Sequence, residues 1–448
     1  TRRWRWPVLR RHKRAIGLQI PGRLPITPAT LPPLPGLRSR RVVVRGWGWI
    51  GHRFRQFRRI AFRGESHGSF FRRPLFTHMP SFHSVRLWQE CSAVEYPQSS
   101  FIFIACRAGS EPALKREIAR RHPGLLTPAF MRPQLLTFKA SRPLSADFDP
   151  QCVFARAWGI SLARVPADAP GGDWISQLPK DLPLRVHAFP RIAPETGVTE
   201  ADLAAAEAIG TGVASLLSAD PARQVSCSGP ALDGEFVIDV ITGEEGEPAL
   251  IGCHLHRAPH HPLPGALPLL VQPDAAPSRA WRKVEEAFAF AGWAAPGFLE
   301  GRTALELGCA PGGASYALLN RGVRVIGVDP GPVEDRVLHF QGPAGATLTH
   351  LRLPVGALAG MELPSPIDLL LSDMNLAPPV VLRYIERLQQ RIHAPALILT
   401  LKLNDADMES QVPDFLAQLK RFAPRPLLAT QLPSNRREIC VIAGALKG

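Results

Sequence analysis

Four ionisable residues stand where an open α/β sheet would carry chemistry. Asp373 ends the apolar run 367–372, and Lys402 ends the apolar run 396–401. Glu438 opens the last apolar run, just after Asn435-Arg436-Arg437, and Lys283 sits in a helical pattern, 278–291, off the apolar stripe of Trp281, Val284 and Phe288. The carboxyl ends of parallel strands face the ligand crevice, and an antiparallel last strand would begin on that same rim. Each residue alone is ordinary: an acid after a strand often caps a helix, and a helical lysine is usually solvated. A strand that ends in lysine is less so, because burying an unpaired ammonium is costly. Together the four suit removal of a proton from a weakly acidic hydroxyl. A second ammonium and low dielectric are expected to depress the pKa of Lys402 while the carboxylates hold the geometry. Base catalysis of this kind contributes ~10²–10⁴-fold.

A second signal lies between these residues in the chain. The run 304–307 ends in Glu306-Leu307, then turns through Gly308, Cys309, Ala310, Pro311, Gly312 and Gly313 into a helical pattern. So little side-chain bulk lets a ligand lie against bare backbone and a helix N-terminus. The next apolar strand, 323–328, delivers Asp329, placed to accept hydrogen bonds from a ribose. The unit therefore reads as a site for a nucleoside-bearing cofactor. A nicotinamide enzyme would carry G-x-G-x-x-G, and the spacing Gly308, Gly312, Gly313 breaks that fingerprint. S-adenosylmethionine has no phosphate and asks for backbone contacts plus an acid such as Asp329. A tight turn with no ligand explains the loop but not Asp329. With a sulfonium as methyl donor, the hydroxyl would be a ribose hydroxyl, and no metal is required.

The elements needed to position these groups follow from periodicity. The spacing predicts helix 278–291, strand 303–307, helix 312–321, strand 323–328, strand 367–372, helix 379–391, strand 396–402, helix 411–422 and a final strand 438–443. Such alternation means a doubly wound, mostly parallel sheet with an antiparallel last strand. Upstream, 101–106 reads as a strand and 111–121 as a helix, with 134–139 and 153–158 as further strand or helix pieces of a small α+β domain. A Pro-, Ala-, Gly- and Asp-rich linker, 165–173, leads to a second small unit with strands 184–189, 235–240 and 249–254 and a helix 199–217. The expected domains are an extension, 1–99; a small α+β domain, 100–173; a second one with its linker, 174–274; and the doubly wound domain, 275–448.

The chain has 448 residues and a formal charge of +15, but the charge is uneven. Residues 1–80 hold nineteen Lys and Arg against the single acid Glu65, whereas the remainder has 34 basic and 37 acidic residues. Nucleic-acid binding by the body must therefore come from local patches. The leader could be a transit peptide or a nucleic-acid tail; the preferred expectation is that it precedes the true start, with Met79 ahead of the first globular sequence. Seven scattered cysteines without a C-x-x-C pair predict a reducing, cytoplasmic setting with no disulfide framework. The cluster Cys253, His254, His256, His260, His261 is weighed as a metal site and set aside in favour of a Pro-rich loop. No apolar run reaches the ~20 residues of a membrane span.

Ser278-Arg-Ala-Trp-Arg-Lys283, Leu307-Gly-Cys-Ala-Pro-Gly-Gly313, Ser372-Asp-Met374, Leu401-Lys-Leu403 and Arg437-Glu438 together resemble the FtsJ-type ribose 2′-O-methyltransferases, and among them the RlmM subfamily, which methylates a cytidine ribose of large-subunit ribosomal RNA. The resemblance covers 275–448 well and 149–156 and 274–278 more weakly. It implies a Rossmann-like domain binding S-adenosylmethionine and a Lys283, Asp373, Lys402, Glu438 tetrad with Lys402 as base. It also implies cofactor contacts from Ser278, Glu306, the loop 308–313, Asp329 and Asp373. Upstream it implies a ferredoxin-like unit and a THUMP-like RNA-binding unit, with ribosomal RNA as partner, no membrane and a monomeric state. The chain departs from the family's pattern at Pro354, where relatives place an adenine-contacting acid, and in the acidic segment Asn404-Asp-Ala-Asp407. Base N-methyltransferases carry Asn/Asp-Pro-Pro-aromatic where this chain has Ser372-Asp-Met-Asn-Leu376, which favours ribose. Two alternatives stay open: an RNA-binding ribosome-assembly factor without turnover, and a nicotinamide-dependent oxidoreductase.

Overall fold

The computed structural model describes residues 96–446, apart from 195, 196, 228 and 245; the basic stretch 1–95, most of the expected extension, lies outside the described residues. In chain order the first half comprises β1 (Gln98–Ala105), α1 (Glu111–Arg121), β2 (Leu126–Arg132), β3 (Leu135–Ser145), β4 (Ala157–Val165), β5 (Leu184–Pro190), α2 (Glu200–Ser218), β6 (Val225–Cys227), β7 (Phe236–Thr242) and β8 (Ala249–Leu255). All eight strands join one sheet, in the order β2-β3-β1-β4-β8-β7-β5-β6. The division expected at residue 174 is thus no break in the sheet: β8 returns to pair antiparallel with β4, Ile160 opposite Cys253 and Val165 opposite Ala249. Helices α1 and α2 cover one face, where Ile102, Ile104, Phe138, Val186 and Ile238 pack beneath Leu114, Ile118, Val213 and Leu217.

One expected piece is corrected. Residues 153–156 are neither strand nor helix; β4 begins at Ala157. Val153, Phe154 and Ala155 are apolar because they are buried in the core as a turn. The Glu117 carboxylate of α1 accepts the Val153 and Phe154 N–H groups at 3.1 and 3.2 Å. A side chain thereby supplies the partners a strand would have found in its neighbour.

The second half comprises α3 (Ala280–Ala291), β9 (Thr303–Leu307), α4 (Gly313–Asn320), β10 (Arg324–Val328), α5 (Asp335–Leu338), β11 (Leu348–Leu351), β12 (Leu369–Ser372), α6 (Pro378–Ile392), β13 (Ala396–Lys402), α7 (Ala406–Ser410), α8 (Val412–Phe422), β14 (Leu427–Thr430) and β15 (Glu438–Gly444). Its seven strands order as β11-β10-β9-β12-β13-β15-β14, with β15 alone antiparallel to its neighbours. This is a Rossmann-like, doubly wound sheet, and alternate strand residues feed its two faces. Ala304, Val325, Leu371 and Ile398 pack with Trp281, Phe288 and Leu318 from α3 and α4. Leu305, Ile326, Leu370 and Leu397 pack with Ile385 and Leu419 from α6 and α8. Strands buried on both faces read as continuous apolar runs, which is why this half is so plain in the sequence.

Candidate active site

The antiparallel turn of β15 sets the geometry. It places Glu438, the first residue of β15, directly opposite Lys402, the last residue of β13. Asp373 follows β12 on the neighbouring strand, and Lys283 reaches in from α3. All four side chains meet. The Lys402 Nζ donates to Asp373 Oδ1 at 2.7 Å and to Glu438 Oε2 at 2.6 Å. The Lys283 Nζ lies 3.1 Å from Asp373 Oδ2 and 2.6 Å from Glu438 Oε1. Each ammonium bridges both carboxylates and each carboxylate bridges both ammoniums, a closed ring whose side chains are only 7–16% exposed. Two charges of each sign offset a desolvation cost that any one alone would not survive.

The ring corrects one electrostatic expectation. Lys402 was expected to lose basicity to burial and its neighbouring lysine. Burial does act downward, but Asp373 and Glu438 outweigh it and lift the Lys402 ammonium above the usual lysine value. Glu438 moves the opposite way: burial pushes it up, and Lys283 and Lys402 together bring it below the ordinary carboxylate range. The ring as it stands holds Lys402 charged.

Behind the ring is a support that periodicity did not reveal. Glu286, one turn after Lys283 on α3, is buried, and its Oε2 accepts from the Ser434 N–H at 3.0 Å and the Ser434 hydroxyl at 2.7 Å. Burial raises its carboxyl to about 7, with the Ser434 bonds acting against the rise. Asn435 then accepts the Leu432 N–H at 2.8 Å and donates to Glu438 Oε1 at 3.3 Å. The loop delivering Glu438 is thus tied to the helix carrying Lys283. A buried acid within a helical stripe was the available signal.

The glycine loop lies beside the ring. Gly308 has φ +83°, and a Cβ there would stand 3.0 Å from the Met374 nitrogen, so only glycine lets the loop approach the end of β12. Gly313, first residue of α4, packs under the Ser278 hydroxyl with no room for a side chain. Asp329 Oδ1 accepts the Gly331 N–H at 2.7 Å and Oδ2 the Ala310 N–H at 3.3 Å. A carboxylate can accept about four hydrogen bonds, so capacity remains for a ribose diol. Two expected contacts turn away. Glu306 is buried against the Ser315 hydroxyl at 2.6 Å, burial lifting its carboxyl to about 7 against that bond, so it anchors α4. The Cys309 side chain is buried over Gly327, which leaves only its backbone to the loop surface.

A cleft of about 400 Å³ opens on Glu438. One wall carries Arg436, Arg437 and Asp405 from the rim, the other Arg107 from the connection after β1 and Arg116 from α1. Arg116 and Glu409 form an exposed ion pair across it. Elsewhere, Cys253 and His254 lie in β8 and not in a loop; the His254 ring stacks on His260, and His256 is tilted against both. Among the described residues no group of His, Cys, Asp and Glu is arranged to hold a metal ion, and no helix is long and apolar enough to cross a membrane.

Residues 276–410 match the family model of FtsJ-like methyltransferases, and the glycine loop, Asp329 and three of the four ring residues lie within the matched stretch. The chain is similar to proteins named Ribosomal RNA large subunit methyltransferase M. It is 40% identical over 78 residues to that of Thauera aminoaromatica, 17% of this chain and 21% of that protein. It is 28% identical over 268 residues to that of Cellvibrio japonicus, 56% and 68% of the two chains. It is 31% identical over 193 residues to that of Laribacter hongkongensis, 40% and 51% of the two chains.

Proposed function

We propose that this chain is an S-adenosylmethionine-dependent methyltransferase of ribosomal RNA, and that it methylates a ribose 2′-hydroxyl, with a cytidine of the large-subunit RNA as target. The observation that carries the reading is the Lys283, Asp373, Lys402, Glu438 ring beside a glycine loop and a cleft with arginines on both walls. The family match and the names of the relatives support the class of substrate.

The residues present fit the cofactor. The backbone of 308–313 and the N-terminus of α4 would hold its amino-acid part, Asp329 its ribose, and Ser278 and Asp373 would border it. When bound, the group supplies an electrophilic methyl with its own leaving group. The protein supplies position and a proton acceptor. Asp373 and Glu438 orient the Lys402 amine toward the substrate hydroxyl. A hydroxyl that reaches Lys402 would displace one carboxylate, and the positive charge a bound cofactor would carry disfavours a second cation beside it, so Lys402 gives its own proton to solvent before it takes another. Lys402 then accepts the hydroxyl proton as the oxygen attacks in line. Lys283 keeps Asp373 and Glu438 compensated while that proton moves.

Arg107, Arg436 and Arg437 line the approach with cations for phosphates, while the ferredoxin-like and THUMP-like readings of the first half make it the arm that grips RNA. A monomer in the cytoplasm, where ribosomal RNA is available, is the setting this supports. The test is to incubate the protein with methyl-labelled cofactor and unmodified large-subunit RNA, then digest to nucleosides. Label on a cytidine ribose is the expected result; label on a base sinks the ribose assignment, and no label under saturating cofactor sinks the enzyme.

A further inference from the structure

Among the described residues, the face of the eight-stranded sheet opposite α1 and α2 is only partly covered. Phe103, Leu135 and Ile241 are sealed there by Phe189, Ala193, Val198 and Leu267. Beyond that seal the face opens into a groove of about 430 Å³, and none of the ring residues lines it. Phe101 shares the face with Phe103 and is 42% exposed. Lys139 stands directly opposite Phe101 in the β1–β3 register and is also exposed. Across the groove the guanidinium carbons of Arg132 and Arg164 lie 4.7 and 4.8 Å from the centre of the half-buried Phe130 ring. At the far end Arg191, nearly buried, donates to the Pro133 carbonyl at 2.9 Å and to Glu247 at 2.8 Å, and Arg132 also reaches Glu247 at 3.4 Å. Glu244 lies 3.7 Å from Arg191 as well, so that end is compensated. The charge left over sits at Arg164 and Lys139, beside the two rings.

Flat aromatic surface set among cations matches one chemistry better than others. A splayed nucleobase stacks on a ring or a guanidinium plane while its phosphates seek Lys and Arg. A duplex keeps its bases stacked inside and has none to offer a groove. An acidic peptide would satisfy the charges and leave the rings without a partner. We propose that this face binds an unpaired stretch of RNA, with a base stacked against Phe101 or Phe130 and phosphates held by Arg164 and Lys139. The proposal rests on the reading of the chain as an RNA methyltransferase and gives it a second anchor, apart from the reacting nucleotide.

Fluorescence anisotropy on the full chain tests it, using a labelled single-stranded RNA of about ten nucleotides, a hairpin duplex, and a polyglutamate peptide of matching charge. Phe101→Ala and Phe130→Ala are each expected to weaken single-strand binding about ten-fold. Arg164→Gln and Lys139→Gln are each expected to weaken it and to reduce the slope of log affinity against log salt by about 0.7. All four should keep cofactor affinity, measured by calorimetry, within two-fold of the unchanged chain, which separates loss of the groove from loss of the fold. Wild-type affinity in both phenylalanine variants would overturn the platform while leaving the RNA reading intact. Equal binding of the duplex or the peptide would overturn it too, since charge alone would then be the attraction. If the unchanged chain binds no RNA of any form, the RNA reading itself falls.

Discussion

Lys402 and Glu438 face each other across the one antiparallel pairing beside β13, with Nζ 2.6 Å from Oε2. Were β15 parallel, its first residue would lie at the opposite edge of the sheet and the ring could not close. The same pairing fixes the ionisation of the site. Two lysines repel, but each lies within hydrogen-bond reach of both carboxylates, and attraction at that range outweighs repulsion between ammoniums.

Lys402→Ala is expected to abolish methyl transfer, a loss of at least ~10²–10⁴-fold, while cofactor affinity stays within a few-fold. Lys402→Arg separates proton transfer from charge, because guanidinium can keep the ion pairs but cannot give up a proton in this range. It should be as inactive as the alanine variant. Single-turnover rates decide the matter, and an arginine variant with full activity would falsify the assignment of Lys402 as base.

Because the Lys402 value is raised in the free protein, the deprotonated amine grows more abundant as pH climbs. The transfer rate at saturating cofactor is therefore expected to rise from pH 6 toward pH 9, by up to about tenfold per unit. The stability sign is separate. A raised lysine contributes stability that is present below its unfolded value, usually 10.5, and lost as pH rises through the folded one. The depressed Glu438 contributes stability present above its unfolded value, usually 4.5, and lost as pH falls through the folded one. Denaturant midpoints should thus show no ring contribution to slope between those limits. A rate independent of pH over 6–9 contradicts the proton-transfer reading.

Glu286 acts on the chemistry only through Ser434 and the loop that carries Glu438. Glu286→Ala leaves the buried Ser434 N–H and hydroxyl without their acceptor, a cost of about 1–3 kcal/mol. The expected signature is a lower kcat with the cofactor KM unchanged, since the glycine loop is untouched. Glu286→Gln keeps an acceptor oxygen and should recover most of both stability and rate. A glutamine variant as impaired as alanine would mean that the charge, and not the hydrogen bonds, matters there.

Much of this arrangement was legible because the second half obeys simple rules. Strands 303–307 and 396–402 match the structure at both ends, Lys402 closing an apolar run, and in the first half helix 111–121 does too, where Glu111-Pro112 marks its start. The strands missed are the short or solvated ones: β2 is exposed along most of its length, β6 has three residues, and β11 and β14 have four each. Nor does local pattern reveal that β4 pairs with β8, a partner that returns only after β5, α2, β6 and β7 have intervened. At the site, Lys283 was selected from a helical pattern, off its apolar stripe, while position along the strands was enough to select Asp373, Lys402 and Glu438. The ionisation of Lys402 was not, because its direction depends on which charges come within 3 Å, and periodicity carries no distances.

Gly308→Ala is expected to weaken cofactor binding by more than its size suggests. Its φ of +83° is strained for alanine by about 1–2 kcal/mol, and the added methyl would press on the Met374 nitrogen and the Asp373 carbonyl carbon. The backbone must shift at the one place where loop and ring touch. Calorimetry should reveal reduced affinity, together with a lower kcat from displacement of Asp373. Wild-type values for both would show that the loop tolerates a side chain and that its closeness to β12 is incidental.

A last prediction concerns the buried histidines of the first half. Burial holds His187 near 4, partly offset by the Asp239 charge, holds His261 near 3, and holds His260 well below its usual 6.5. These rings are neutral when folded but take up a proton when unfolded, so their stability contribution is complete above about 6.5. It is lost as pH falls from there toward the folded values, by up to about 1.4 kcal/mol per unit for each group. His254 and Asp239 form a 2.7 Å pair in which burial drives the ring down to about 3 and the carboxyl up to about 8. Folded, that pair holds one proton between them, and unfolded near pH 5.5 it also holds about one, so it adds little to the slope. Glu286 and Glu306, lifted to about 7, gain stability as pH falls over the same range, so the readout is the difference between the parent chain and a histidine variant in urea midpoints at pH 7.5, 6.5 and 5.5. His261→Asn keeps an acceptor for the Leu263 N–H, which lies 3.0 Å from the ring nitrogen, and removes the titrating group. Relative to the parent chain that variant should gain stability as pH falls from 7.5 to 5.5, by up to about 1.4 kcal/mol per unit below pH 6.5; a difference that does not change with pH would mean the His261 ring is not held neutral by burial.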